Sequence, residues 1–122
     1  MASESGLAGR KVLVVEDEAR VAMLIGDTLE DIGCEVVATA THFDDAFAKA
    51  TSLAFDVALL DVNLNGEVSY PIAETLAEQG RAFVFATGYI AAQLPRSLRD
   101  AQLLQKPFAR RDLERALQAA LG

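Results

Sequence analysis

The chain has 122 residues, of which 52% are hydrophobic, and its 18 acidic and 11 basic residues give a formal charge of -7. This length predicts one domain, and the acidic balance argues against nucleic-acid binding, because no basic stripe is present to neutralise phosphates. The charge also argues against an anionic membrane surface, and no apolar run approaches the roughly 20 residues needed to span a bilayer.

The cysteine content and the start of the chain indicate a compartment. The single cysteine, Cys34, has no partner for an internal disulfide and is typical of a reducing environment. The first ten residues lack an apolar core and are not a signal peptide. We therefore expect a disordered leader over residues 1–10, one domain over residues 11–122 and a cytoplasmic protein.

Apolar runs of strand length alternate with stretches of helical periodicity along the chain. The predicted strands are 11–15, 35–39, 57–60, 82–86 and 102–105. The predicted helices lie before Gly33, at 43–50, around 72–77 and from about residue 110. With a further segment between the last two strands, this alternation indicates a parallel sheet with helices on both faces.

The connection between the fourth and fifth strands differs from the others. Only 18 residues separate Thr87 from Lys106, and they must hold both a crossover and a strand. Pro95 removes a helical hydrogen bond and biases Leu94 away from helical angles. We expect the fourth helix to be short or irregular.

Charged and hydroxyl side chains stand at four strand ends. Glu16 and Asp17 follow the first strand, Asp61 the third, Thr87 the fourth and Lys106 the fifth. Parallel strands place all these ends at one edge of the sheet. Crowded carboxylates repel one another unless a cation joins them, and oxygen ligands without His or Cys suit Mg²⁺. Removing charge, as in Asp17→Asn, is therefore expected to raise the stability of the metal-free protein.

This set of groups is sufficient for phosphoryl transfer. A carboxylate such as Asp61 attacks phosphorus to form an aspartyl phosphate. Mg²⁺ and Lys106 balance the added charge, and the Thr87 hydroxyl is able to donate a hydrogen bond. Since the protein mainly positions groups in such reactions, few residues are needed.

These motifs resemble the response-regulator receiver domain of two-component and phosphorelay signalling, over nearly the whole chain. The resemblance rests on Glu16-Asp17, Leu-Leu-Asp61, Thr87 and Lys106-Pro107-Phe108 in the family's order. The segment Phe85-Ala86-Thr87-Gly88-Tyr89 resembles the FATGY (FAT GUY) subgroup, many of whose members are single-domain. The resemblance implies a flavodoxin-like fold with strand order 2-1-3-4-5, and a phosphoryl donor that is a sensor histidine kinase or a histidine phosphotransfer protein.

The resemblance also implies a role for each site residue. Asp17, Asp61 and the backbone carbonyl of Asn63 would bind Mg²⁺ directly, and Glu16 would bind it through water. Asp61 would be the phosphoacceptor, assisted by Thr87 and Lys106. Asn63, Gly88 and Tyr89 would border the phosphoryl group, with Gly88 leaving room for it. Such a protein catalyses its own phosphorylation and dephosphorylation and is not an enzyme with a separate substrate. Phosphorylation would switch the face around the fourth helix, fifth strand and last helix toward a downstream protein.

Three positions depart from the family pattern. Glu16 stands where many receivers have Asp, and Leu64-Asn65 replaces the usual Leu-Pro, which is expected to cost rigidity. Leu103 stands where many receivers carry a switching aromatic. We expect Tyr89 to take over that role.

Other functions compete with this one. A haloacid-dehalogenase-like phosphatase also uses Asp, Thr, Lys and Mg²⁺, but places its nucleophile at the first strand and a second Asp where this chain has Asn63. A binding module that has lost phosphorylation is disfavoured because every acceptor group is present. A receiver domain detached from a larger regulator or hybrid kinase would show the same sequence.

Overall fold

The computed structural model describes residues 6–88 and 94–122, which form a five-stranded parallel sheet, a small hairpin and four α-helices. The strands are β1 (Lys11–Val15), β2 (Glu35–Ala40), β3 (Val57–Asp61), β4 (Asn63–Leu64), β5 (Glu67–Val68), β6 (Ala82–Thr87) and β7 (Gln102–Gln105). The helices are α1 (Ala19–Ile32), α2 (Phe43–Ser52), α3 (Tyr70–Glu78) and α4 (Arg110–Leu121).

The main sheet has the order β2-β1-β3-β6-β7, which is 2-1-3-4-5 when only its own strands are counted. Its pairs are all parallel. The predicted flavodoxin-like topology is therefore confirmed. Each predicted strand lies within one residue of its observed end, because strands buried on both faces are continuous apolar runs.

Helices cover both faces of this sheet. Val12 and Val14 of β1 face a core that includes residues of α1 and α4. Leu13 and Val15 face the opposite core, which includes residues of α2 and α3. Side chains alternate along a strand, so the side chains of the central strands are buried on both faces of the sheet. The polar groups available for a functional site therefore lie at the carboxyl ends of these strands.

A hairpin follows β3 where the sequence analysis predicted only a loop. Strands β4 and β5 pair antiparallel, and their two-residue turn has positive φ at both Asn65 (54°) and Gly66 (92°). An Asn-Gly pair favours this type I′ turn. Strands of two residues are too short to show an alternation of apolar and polar side chains. The Asn-Gly turn is therefore the one sequence feature that indicates the hairpin.

The predicted disordered leader is too long. Leu7 is only 1% exposed and packs into the core beside α1 and α4. The N–H of Gly9 donates to the carbonyl of Gly33 at 2.8 Å, and the Cys34 thiol lies 3.6 Å from the Leu7 carbonyl. The Leu7 side chain and these polar contacts anchor this stretch, and residues 1–5 lie outside the described part.

The segment before β7 contains one short 3-10 turn, Arg96–Leu98, within residues 94–101. Pro95 precedes the turn, and Leu98, the last residue of the turn, is buried. This agrees with the expected short or irregular fourth helix, while residues 89–93 lie outside the description. Among the described helices, none has the length and apolar content to cross a membrane.

Candidate functional site

Three carboxylates meet at the carboxyl ends of β1 and β3. Glu16 and Asp17 follow β1, Asp61 ends β3, and oxygen atoms of all three lie within 4.8 Å of one another. Glu16 is 2% and Asp61 8% exposed, whereas Asp17 is half-buried. The fold thus brings together the three acids that the sequence predicted, with Asp17 nearest to solvent.

Lys106 completes the cluster from the end of β7. Its Nζ atom donates to Asp61 Oδ2 at 3.2 Å and to Glu16 Oε1 in a shorter contact. Its backbone N–H donates to the carbonyl of Thr87 at 2.8 Å, which aligns the ends of β6 and β7. Three carboxylates and one ammonium leave the site with a formal charge of -2.

Each acid also accepts a backbone hydrogen bond. The N–H of Glu18 donates to Glu16 at 3.1 Å, and that of Asn63 to Asp61 at 3.4 Å. The N–H of Asn65, at the hairpin turn, donates to Asp17 Oδ2 at 3.1 Å. The sequence analysis missed this last contact, because a main-chain donor carries no residue signature.

Burial dominates the electrostatics of two acids. It raises the pKa of Glu16 to about 7, against the opposing hydrogen bond from Lys106. It also raises the pKa of Asp61, again opposed by Lys106. Loss of hydration disfavours an ionised carboxylate more strongly than one nearby ammonium favours it.

The pKa values of Asp17 and Lys106 shift in the direction that favours the charged form of each side chain. Burial opposes ionisation of Asp17, but hydrogen bonds with Glu16 and from Asn65 outweigh it and lower its pKa. Burial would likewise lower the pKa of Lys106, but Glu16 and Asp61 outweigh it and raise that pKa. Asp17 and Lys106 are therefore the firmly charged members of the cluster.

The donor set fits a hard divalent cation. Carboxylate oxygens are the ligands that Mg²⁺ prefers, and three of them from different residues converge here. A cation would also relieve the cost that burial places on Glu16 and Asp61. The residues present are therefore compatible with the Mg²⁺ that the resemblance implied.

The other predicted site residues vary in how the structure places them. Thr87 ends β6 and is 5% exposed. A Cβ on Gly88 would meet nothing within 4 Å, so this position leaves open space beside Thr87. The Asn63 side-chain oxygen accepts the N–H of Gly66 at 2.8 Å and so closes the hairpin turn. Tyr89, expected to border the phosphoryl group and to act as the switch aromatic, lies outside the described residues.

Leu103 occupies β7 opposite Phe85 of β6. It is partly buried and packs against the core on the α2 and α3 side. The Phe85 ring makes edge contacts with Phe83 at 5.4 Å and with Tyr70 at 5.9 Å between centroids. Aromatic side chains therefore pack beside Leu103 on the same side of the sheet, although none replaces it on β7.

Comparison with known proteins agrees with this fold. The solution structure of SdrG from Sphingomonas melonis Fr1 matches with a TM-score of 0.81 and 38% identity, covering 100% of both chains. Chemotaxis protein CheY4 of Vibrio cholerae matches with a TM-score of 0.79 and 29% identity, covering 93% of this chain and 100% of that one.

Curated relatives are longer than this chain. The transcriptional regulatory protein PdtaR of Mycobacterium tuberculosis is 30% identical over 117 residues, which are 93% of this chain and 57% of PdtaR. A protein-glutamate methylesterase/protein-glutamine glutaminase of Archaeoglobus fulgidus is 46% identical over 54 residues, 44% of this chain and 16% of that protein. The family model described as the response regulator receiver domain matches residues 12–118. The chain therefore belongs to the response regulator receiver family of two-component signalling.

Proposed function

We propose that Asp61 accepts a phosphoryl group from a phosphohistidine, carried by a sensor histidine kinase or a histidine phosphotransfer protein. The supporting observation is the junction of Glu16, Asp17, Asp61 and Lys106 at one edge of the sheet. Membership of the receiver family supports the same reaction.

In the proposed reaction a carboxylate oxygen of Asp61 attacks phosphorus. The P–N bond of the phosphohistidine breaks, its electron pair stays on the imidazole nitrogen, and an acyl phosphate forms. Lys106, already 3.2 Å from Asp61 Oδ2, stabilises the charge on the transferred group. The Thr87 hydroxyl donates a hydrogen bond to a phosphoryl oxygen.

Mg²⁺ would be held by Asp17, Asp61 and the carbonyl of Asn63, with Glu16 binding through water. When bound, the ion supplies positive charge that offsets the phosphoryl oxygens. The product stays attached to Asp61 until water removes it, and the open space at Gly88 gives water access. We therefore propose a cytoplasmic phosphoacceptor that promotes its own phosphorylation and hydrolysis, and not an enzyme with a separate substrate.

A groove beside the acid cluster is a candidate docking site for the phosphoryl donor. It has a volume of about 420 Å³ and is lined by Val21, Leu24, Ile25, Thr28, Lys106, Pro107 and Phe108. Leu24 and its neighbour Met23 are 61% and 68% exposed. Because Lys106 lines the groove and also contacts Asp61, a donor bound there would bring its phosphohistidine to Asp61. The phosphorylated histidine protein is the occupant we propose.

The test compares wild type with Asp61→Asn, using phosphorylated histidine kinases of the source organism scored at early times, with and without EDTA. Asp56→Asn is the matched control, because Asp56 lies before the opposite end of β3 and accepts the N–H of Lys11. We expect label in wild type and Asp56→Asn only, and none after chelation. Labelling of Asp61→Asn at the wild-type rate, or indifference to EDTA, would exclude this assignment.

Docking is tested separately with Leu24→Asp. We expect it to slow transfer from the kinase about tenfold more than transfer from acetyl phosphate, which needs no docking surface. Phe47→Asp, which places the same charge at an exposed residue of α2, should slow neither. Equal slowing of both donors by Leu24→Asp would count against the groove.

A further inference from the structure

Charge is distributed unevenly along this acidic chain. Residues 94–122 hold six of the 11 basic residues but only three of the 18 acidic ones. The final quarter of the chain is thus net positive, although the whole chain has a formal charge of -7. This part contributes the edge strand β7 and the last helix α4.

The acids of α4 are already occupied. The Asp112 carboxylate accepts the N–H of Ala109 at 3.1 Å, and Glu114 pairs with Arg110 at 3.2 Å. Arg111 and Arg115 are exposed and, among residues 6–88 and 94–122, have no hydrogen-bond or ion-pair partner. They lie one helical turn apart, so their guanidinium groups project from neighbouring positions of one face.

Arg115 borders a groove along β7. The groove has a volume of about 690 Å³, and its walls are the stretch from Gln102 to Pro107 and the α4 residues Asp112, Arg115, Ala116 and Ala119. Two of these helix residues are alanines, whose small side chains project little into the groove. The groove is open enough for an extended chain to lie between the strand and the arginine.

The outer edge of β7 offers main-chain hydrogen bonds. Within the described ranges β7 pairs only with β6. Lys106 donates its N–H to Thr87 of β6, and backbone direction alternates along a strand, so Leu103 and Gln105 direct their N–H and C=O groups outward. Residues 102–105 contain no charge and no proline, the features that usually protect such an edge.

We propose that the face formed by β7 and α4 binds an extended, acidic segment of a partner protein, which adds to β7 as a further strand. Main-chain bonds to Leu103 and Gln105 would set its register, and its carboxylates would pair with Arg111 and Arg115. The proposal deepens the proposed function by giving the signalling face a partner chemistry. It rests on that function only for its biological role, because the geometry belongs to the unphosphorylated protein.

The experiment uses the unphosphorylated full chain, labelled with ¹⁵N, and a short peptide of alternating valine and glutamate. We expect the amide resonances of Leu103 and Gln105 to shift on titration, and the affinity to fall with added salt. Arg115→Glu and Arg111→Glu should each weaken binding about tenfold. Arg20→Glu, the same charge reversal at an exposed residue of α1, should leave it unchanged.

Two matched peptides decide the mode of binding. A valine–lysine peptide removes the charge complementarity, and a glutamate–proline peptide keeps the acids but lacks the N–H groups of a strand. Neither should bind. Binding of either with equal affinity, or absence of binding by the valine–glutamate peptide, would overturn the proposal. Self-association that Arg115→Glu abolishes would identify a second copy of this chain as the occupant and would also overturn it.

Phosphorylation at Asp61 is measured on the same samples. If Asp61 fails to accept phosphate while the acidic peptide still binds β7, the proposed function is refuted and the edge site stands. If Asp61 is phosphorylated and the peptide does not bind, the edge site is refuted and the proposed function stands. The two failures are therefore distinguishable.

Discussion

Asn65 donates its backbone N–H to Asp17 Oδ2 at 3.1 Å, which ties the tip of the β4–β5 hairpin to the acid pair after β1. A proline at position 65, as in the usual family sequence, has no N–H to give. The loss of rigidity expected from Leu64-Asn65 is thus offset by a hydrogen bond that Asn65 donates and that proline could not. The hairpin and the acid cluster should consequently respond to mutation together.

The hairpin turn predicts opposite effects for two glycine substitutions. Gly66 has a φ of 92°, and alanine there should cost about 1–2 kcal/mol of unfolding free energy. Gly26 lies inside α1, where an added Cβ would meet only Val36 at 4.0 Å, and alanine should add about 0.5–1 kcal/mol. Thermal unfolding followed by circular dichroism checks both, and shifts of the same sign would contradict the assigned turn.

The acid cluster predicts that two neutralising mutations differ in sign. Burial raises the pKa of Asp61, so Asp61→Asn should raise the metal-free unfolding free energy. Hydrogen bonds that lower the pKa of Asp17 outweigh its burial, so its charged form is favoured by folding. Asp17→Asn should therefore fail to stabilise the protein, contrary to the expectation from crowding alone.

Calorimetry in EDTA and in Mg²⁺ separates these effects. Both variants should lose most of the stabilisation that wild type gains from Mg²⁺, because each removes a proposed ligand. A higher metal-free melting temperature for Asp17→Asn than for Asp61→Asn would show that the hydrogen bonds with Glu16 and from Asn65 do not favour the charged carboxylate.

Glu16 predicts a pH dependence of metal-free stability. Burial raises its pKa from the ordinary value of 4.5 to about 7, so between these values the folded protein binds a proton that the unfolded chain has released. The unfolding free energy should therefore fall as pH rises through this window, by up to about 1.4 kcal/mol per pH unit. Asp17, whose pKa is lowered, acts in the opposite sense at lower pH.

Urea unfolding in EDTA at pH 4.5, 6 and 7.5 measures this slope. Glu16→Gln should flatten it, since the amide does not titrate. A wild-type stability that rises across the window, or an unchanged slope in Glu16→Gln, would refute the role of Glu16.

Arg81 connects β6 to the end of α2. Its guanidinium donates to the carbonyls of Ala50 and Leu53 at 2.7 and 2.8 Å and lies 3.8 Å from the centre of the Phe55 ring. These carbonyls have no partner inside the helix, so Arg81→Ala should cost about 2 kcal/mol. Lysine cannot reproduce the planar, two-pronged contact, and Arg81→Lys should recover less than half of the loss.

Arg99→Ala is the control for Arg81, because Arg99 is exposed and has no ion pair within the described residues. Its effect on the unfolding free energy measured with urea should be within about 0.5 kcal/mol. Equal destabilisation by the two alanine variants would show that the contacts of Arg81 contribute nothing specific.

The main sheet was predictable because its strands are buried on both faces, which makes them continuous apolar runs ended by polar residues. The positions of Glu16, Asp17, Asp61 and Lys106 followed from the same rule, since parallel strands present their carboxyl ends together. What could not be predicted depends on single backbone atoms. The N–H of Asn65 helps the hydrogen bond with Glu16 to lower the pKa of Asp17, and no side-chain pattern encodes it.

Two structural features were missed for a related reason. Strands of two residues show no alternation, so the hairpin was visible only through its Asn65-Gly66 turn. Leu7 is one apolar residue in a polar stretch, and a single position has no periodicity. Both features are anchored by tertiary contacts that sequence patterns do not record.

The contact between Cys34 and Leu7 gives the protein an intrinsic reporter. Burial raises the pKa of the Cys34 thiol, and its Sγ atom lies 3.6 Å from the Leu7 carbonyl, so thiol reagents should reach it when the segment before β1 moves away. Because Cys34 is the chain's single cysteine, the rate of its modification by an aromatic disulfide measures how often that segment opens. The opening is thereby read out in the unlabelled protein, independently of global unfolding.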